Sequence, residues 1–99
     1  MTNKERFIEI FKTKIKREGS ENLLNFLQSE ACDFFTAPAS TKYHGAYEGG
    51  LLEHSLNVYD CLCDILSRPR IKEQYGIEYS DESIAIVALL HDICKVNFY

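Results

Sequence analysis

Late in the chain an apolar run, Ile84-Ala85-Ile86-Val87-Ala88-Leu89-Leu90, passes directly into His91-Asp92-Ile93-Cys94-Lys95. Ser80-Asp81-Glu82 ahead of it is a strong helix start, with a capping hydroxyl and two acids beside the positive end of the helix dipole. Ile84, Val87, Ala88 and His91 share one face at helical spacing, and Ile86, Leu89, Leu90 and Ile93 widen the apolar surface. A helix this apolar has to be buried. The rest of the chain must therefore build a core around it, and the helix delivers an adjacent His and Asp, with a Lys three residues on, to the edge of that core.

The remaining segments read as helices that supply the core. Phe7, Ile8, Phe11 and Ile15 form one stripe of an amphipathic helix; Thr2 and Glu5 have capping-box spacing, and Lys16, Arg17 and Gly19 mark its end. Ser20 stands at the cap position of a second helix, whose apolar face (Leu23, Leu24, Phe26, Leu27) continues towards Cys32, Phe34 and Phe35. Residues 36–50 have no sustained period and read as a long loop, with Pro38 near its start and Gly45, Gly49 and Gly50 near its end. Loops of this length are uncommon in compact domains and tend to be functional.

A third helix is expected over about residues 51–67, stopped by Arg68-Pro69. It has one stripe of His54, Val58, Cys61, Leu62 and Ile65, which places His54 on an inward face, and a second of Leu52, Leu56, Tyr59, Cys63 and Leu66. Residues 71–79 read as a connector with room for one helical turn before the Tyr75-Gly76 break. No stretch suggests paired strands or a tandem repeat, so the expected class is all-α: a compact helical bundle of four to five helices in one domain over residues 1–99, with N-terminal helices in 1–35, a functional loop in 36–50 and core helices in 51–99.

With 99 residues the chain has room for one modest core. No apolar segment approaches the roughly 18–20 residues that span a bilayer, and the first residues do not form a signal peptide, so a cytoplasmic protein without a membrane partner is expected. Four cysteines without a CxxC spacing read as reduced thiols. A net charge of −4 argues against a general nucleic-acid-binding surface.

His54, His91 and Asp92 thus project from two apolar helices. Imidazole and carboxylate suit divalent ions such as manganese, iron, zinc or nickel, and the absence of a thiolate cluster argues against a structural zinc knot. Neighbours on a helix diverge by about 100°, so His91 and Asp92 would grip an ion lying between their two directions. By spacing alone, a hydrogen-bonded core His54 and a helix-end Asp92 fit equally well.

The run His44-Gly45-Ala46-Tyr47-Glu48-Gly49-Gly50-Leu51-Leu52-Glu53-His54, followed by His91-Asp92-Ile93-Cys94-Lys95, resembles the HD-domain superfamily of metal-dependent phosphohydrolases, in its GGLxxH branch, over about residues 36–99. The resemblance implies an all-α scaffold, a divalent metal cofactor (magnesium included) and hydrolysis of phosphomonoesters or phosphodiesters, nucleotides among them. It makes His54, His91 and Asp92 the metal ligands and Asp92, Lys95 and His44 the catalytic set. In this reading Lys95 or His44 faces the substrate phosphate, and Lys42, Tyr43 and Tyr47 are substrate-binding, the tyrosines stacking on a base. A loop His44 bonded to its own backbone is an equally open reading.

Cys94 stands where many members have Gly. No Asp or Glu follows Asp92, so the distal Asp that closes the site in the family has no counterpart here. With the apolar ending Val96-Asn97-Phe98-Tyr99, this suggests a domain lacking its later helices, with exposed apolar surface near its C-terminus through which it would form a homo-oligomer. A non-catalytic helical module for metal binding or protein interaction is the alternative.

Overall fold

The structure, a computed structural model, describes residues 1–40 and 46–97. It is all-helical, with five α-helices and no strand among the described residues. The capping box forms as expected at α1 (Asn3–Lys14): Thr2 Oγ1 accepts the Glu5 N–H at 3.1 Å, and the Glu5 carboxylate accepts the Thr2 N–H at 3.3 Å. The helix stops at its cap, Ile15, before the basic pair. Lys16 and Arg17 instead turn towards the Glu82 carboxylate, which accepts the Lys16 N–H at 2.7 Å and Arg17 Nε–H at 3.1 Å.

The cap of α2 (Ser20–Gln28) is Gly19, not Ser20, because a left-handed residue (φ 85°) is needed there to reverse the chain. This helix ends earlier than its apolar pattern suggested. Cys32, Phe34 and Phe35 lie in turns after it, where Phe34 is fully buried against Phe7, with ring centroids 4.9 Å apart.

Residues 33–40 form a connector that caps the next helix, α3 (Gly50–Ser67). The Thr36 and Ala37 carbonyls accept the N–H groups of Gly49 and Leu51 at 2.9 and 3.0 Å, satisfying donors that a helix start leaves open. The proline expected to end α3 also begins the following helix, α4 (Pro69–Tyr75), since the first helical position has no hydrogen bond for its missing N–H to make. The helical turn expected before Tyr75-Gly76 is thus a helix of seven residues that starts at the proline and stops at Gly76.

α5 (Asp81–Leu90) packs along α3 through small residues. Ala85 and Ala88 are fully buried, as is Ser55 of α3, and this allows close approach of the two backbones. Two face assignments need correction. Val87 is 58% exposed, and the covered side of α3 is Leu51, Leu52, Ser55 and Leu56; the His54 stripe lies at its edge, with Ile65 and Cys61 exposed. Two stripes were open to burial by spacing, and α1, α5 and the connector cover only one.

The core joins Phe7, Phe11, Leu24, Leu27, Phe34, Leu51, Leu56 and Leu89, with Ile93 and Val96 packed against it. The described part of the C-terminal segment therefore covers core; Phe98 and Tyr99 lie outside the described residues. Two of the exposed apolar residues, Tyr79 and Val87, border a groove of about 330 Å³ together with the half-buried Leu62, Leu66 and Ile84, away from the C-terminal segment. No helix among the described residues is long and apolar enough to cross a membrane, and the four cysteines are unpaired.

Candidate metal centre

His54 sits in the second turn of α3, held by the buried Leu51 and Leu52 on one side and Ser55 and Leu56 on the other. His91 is the C-cap of α5, and beyond it the chain leaves the α-helix: Asp92 has φ −107°, ψ 20°, and Ile93–Lys95 form a single 3-10 turn. The sequence places the doublet at the end of the helix itself, and α5 stops just short of it. The early end of α5 matters for the site because the turn brings both side chains to one point.

Three donor atoms meet there. His54 Nε2 and His91 Nε2 are 3.2 Å apart, and each lies 3.3 Å from Asp92 Oδ2. Among the described residues, these three are the group of histidine, cysteine and acidic side chains whose ligand atoms converge closely enough for an ion. With metal–ligand bonds of about 2.1 Å, two ligands at a right angle lie about 3.0 Å apart and two at a tetrahedral angle about 3.4 Å apart. The observed edges fall between these values, so the spacing of the three ligand atoms fits a divalent cation.

The protonation pattern also suits one. His91 Nδ1 lies 2.8 Å from the Ala88 carbonyl oxygen, which only accepts, so Nδ1 bears the proton and Nε2 presents a lone pair to the centre. One carboxylate and two neutral imidazoles would balance half of a divalent charge and leave coordination positions for water and substrate. The site is accessible: side-chain exposure is 41% for His54, 30% for His91 and 19% for Asp92.

Lys95 adds a cation at the edge. Its Nζ donates to the Ala39 carbonyl at 2.9 Å and lies 3.4 Å from Asp92 Oδ2. Tyr47 lies on the turn before α3 with its ring half exposed, and the Glu53 carboxylate, one residue before His54, holds its hydroxyl and raises the phenol pKa above its usual value. Lys42, Tyr43 and His44 lie outside the described residues. The spacing of side chains gave no sign of Ala88 or Ala39, since a backbone carbonyl has no residue signature. Glu53 could have been found from its place beside His54.

No protein-family model matches the chain, and no solved structure does. Among curated proteins it is 44% identical over 66 residues to dihydroneopterin 2',3'-cyclic phosphate phosphodiesterase of Methanocaldococcus jannaschii, a match that takes in 64% of this chain and 24% of that protein. The chain spans about a quarter of the length of this relative.

Proposed function

We propose that this chain forms the metal-binding part of a metal-dependent phosphohydrolase, with His54, His91 and Asp92 as ligands and a phosphodiester of a small heterocyclic molecule as substrate. The observation that supports it is the triangle of Nε2, Nε2 and Oδ2 atoms with edges of 3.2–3.3 Å. The relative's name, which specifies a cyclic phosphodiester of a pterin, gives the substrate class. The mixed nitrogen and oxygen donor set favours manganese, iron, zinc or nickel over magnesium, which prefers oxygen ligands and water.

A divalent cation in this site supplies a lowered pKa for water and positive charge for the phosphoryl oxygens. The chain's own groups do the rest. The Ala88 carbonyl keeps the proton on His91 Nδ1, so the Nε2 lone pair stays available. Lys95, held at the edge of the site by its hydrogen bond to the Ala39 carbonyl and its ion pair with Asp92, places a positive charge where it can meet a phosphoryl oxygen. The ring of Tyr47, fixed at its hydroxyl by Glu53, presents a face on which a flat heterocycle can stack. In this reading His44 also acts on the substrate phosphate, and Lys42 and Tyr43 contribute to substrate binding.

The test is metal uptake followed by turnover. The purified chain should bind Mn2+ or Co2+ at one site in calorimetry and hydrolyse a 2',3'-cyclic nucleotide or pterin phosphate. His91→Ala should weaken the metal by more than the about 10–100-fold typical of changes outside the ligand shell, and abolish turnover. Absence of metal uptake by the wild-type chain would refute the proposal.

A further inference from the structure

The segment that presents Asp92 has little regular structure of its own. After α5 ends at Leu90, the backbone bonds within residues 91–97 are two: Lys95 N–H to the Asp92 carbonyl at 3.0 Å and Val96 N–H to that of Ile93 at 3.1 Å. The segment is instead fastened at its far end by Asn97. The Asn97 N–H donates to Asp33 Oδ1 at 2.6 Å, its Nδ2 donates to the Ala31 carbonyl at 2.8 Å, and its Oδ1 accepts the Asp33 N–H at 3.2 Å. To close this ring of bonds Asn97 adopts φ 58°, a left-handed conformation that among L-residues Asn and Asp tolerate best.

The other side of the clasp leads to the second ligand-bearing element. Asp33 begins the connector whose Thr36 and Ala37 carbonyls hold the first turn of α3, three residues before His54, and whose Ala39 carbonyl holds Lys95. Residues 31–39 are therefore bonded to both pieces of chain that supply ligands. His54 and His91 are placed by two packed helices, whereas Asp92 lies outside both, and its distance from them depends on how the 91–97 segment is docked.

We infer that Asn97 and Asp33 are positioning residues for the metal centre: their clasp holds the Asp92 carboxylate at the spacing a cation requires. The inference rests on the metal-site reading above, and the test separates the two. Co2+ alone is titrated into the full chain, with no phosphate ester present, and its visible absorption reports both affinity and coordination geometry. Asn97→Gly keeps the left-handed backbone accessible and removes the side-chain bonds. It should weaken Co2+ binding about tenfold and alter the absorption bands while the far-ultraviolet circular dichroism stays native. Asp33→Ala should weaken binding to a similar extent, and the double variant no further, because both changes open the same clasp.

In the unmodified chain, Co2+ should slow hydrogen exchange of the peptide containing Asn97, a readout that does not depend on any variant being folded. Wild-type uptake of Co2+ together with unchanged affinity and spectrum in Asn97→Gly overturns the inference alone, as does Co2+ binding without protection at Asn97. Failure of the wild-type chain to take up Co2+ overturns the metal reading and the inference with it.

Discussion

The two halves of α3 have similar apolar spacing and opposite fates. In residues 50–56, Gly50, Leu51, Leu52, Ser55 and Leu56 are all buried beneath α1, α5 and the connector. In residues 57–67 no residue is buried: Leu62 and Leu66 are half-buried along an open groove, and Ile65 is 43% exposed. Periodicity specifies which residues share a face; what covers that face depends on where the other helices end. His54 is on the covered half, where its backbone is fixed by packing, and a ligand triangle held to tenths of an ångström requires that rigidity.

The contrast is tested most severely by matched truncations. Leu51→Ala removes a fully buried side chain and should cost about 2–5 kcal/mol in urea unfolding, through lost burial and the cavity left behind. Ile65→Ala, an apolar truncation of comparable size in the exposed half, should cost less than about 1 kcal/mol, because much of that side chain is already in water. Similar costs at the two positions would mean that the open half is covered in solution.

A smaller effect of opposite sign is expected inside the covered half. Ser55 is fully buried, and its Oγ has no hydrogen-bond partner among the described residues. The helix crossing with Ala85 and Ala88 selects a small side chain there, and the hydroxyl adds a desolvation cost without a bond. Ser55→Ala should therefore stabilise the fold by about 1 kcal/mol, raising the melting midpoint by about 4–8 °C, with Co2+ affinity unchanged. Destabilisation would show that the hydroxyl has a partner in solution and that this crossing is not governed by size alone.

These positions also show what was legible in the residues. The class and the starts of α1 and α5 followed from caps and periodicity, all of them local signals, whereas spacing left the convergence of His54 with His91 and Asp92 open and only the family resemblance of the two motifs pointed to it. The N-cap at Gly19, the start of α4 at Pro69 and the stop of α5 before His91 were missed, because each depends on how the chain is redirected between packed helices and not on a local signal. The clasp of Asp33 with Asn97 pairs residues 64 apart, and the hydrogen bonds of His91 and Lys95 end on backbone carbonyls. No residue pattern encodes either.

The smallest predicted effect concerns the rim of the open half. There α5 begins beside the groove, held to the end of α1 and the turn after it: Glu82 accepts the Lys16 backbone N–H and pairs with Arg17, and Asp81 lies 3.5 Å from Lys14. The hydrogen bond from the Lys16 backbone, followed by that from Arg17, lowers the Glu82 pKa below its usual 4.5. A carboxylate with a depressed folded pKa contributes stability that is fully present above its unfolded pKa and is lost as pH falls through the folded value. Acidification below about pH 4.5 should therefore speed hydrogen exchange in the first turn of α5 before it affects residues 51–56, where packing rather than charge holds the backbone. Glu82→Gln should give the faster exchange already at pH 7 and flatten its dependence on acid. Simultaneous loss of protection in both regions would show that the start of α5 and the covered half of α3 open as one unit, so that the packed core around His54 shares the fate of the charged rim.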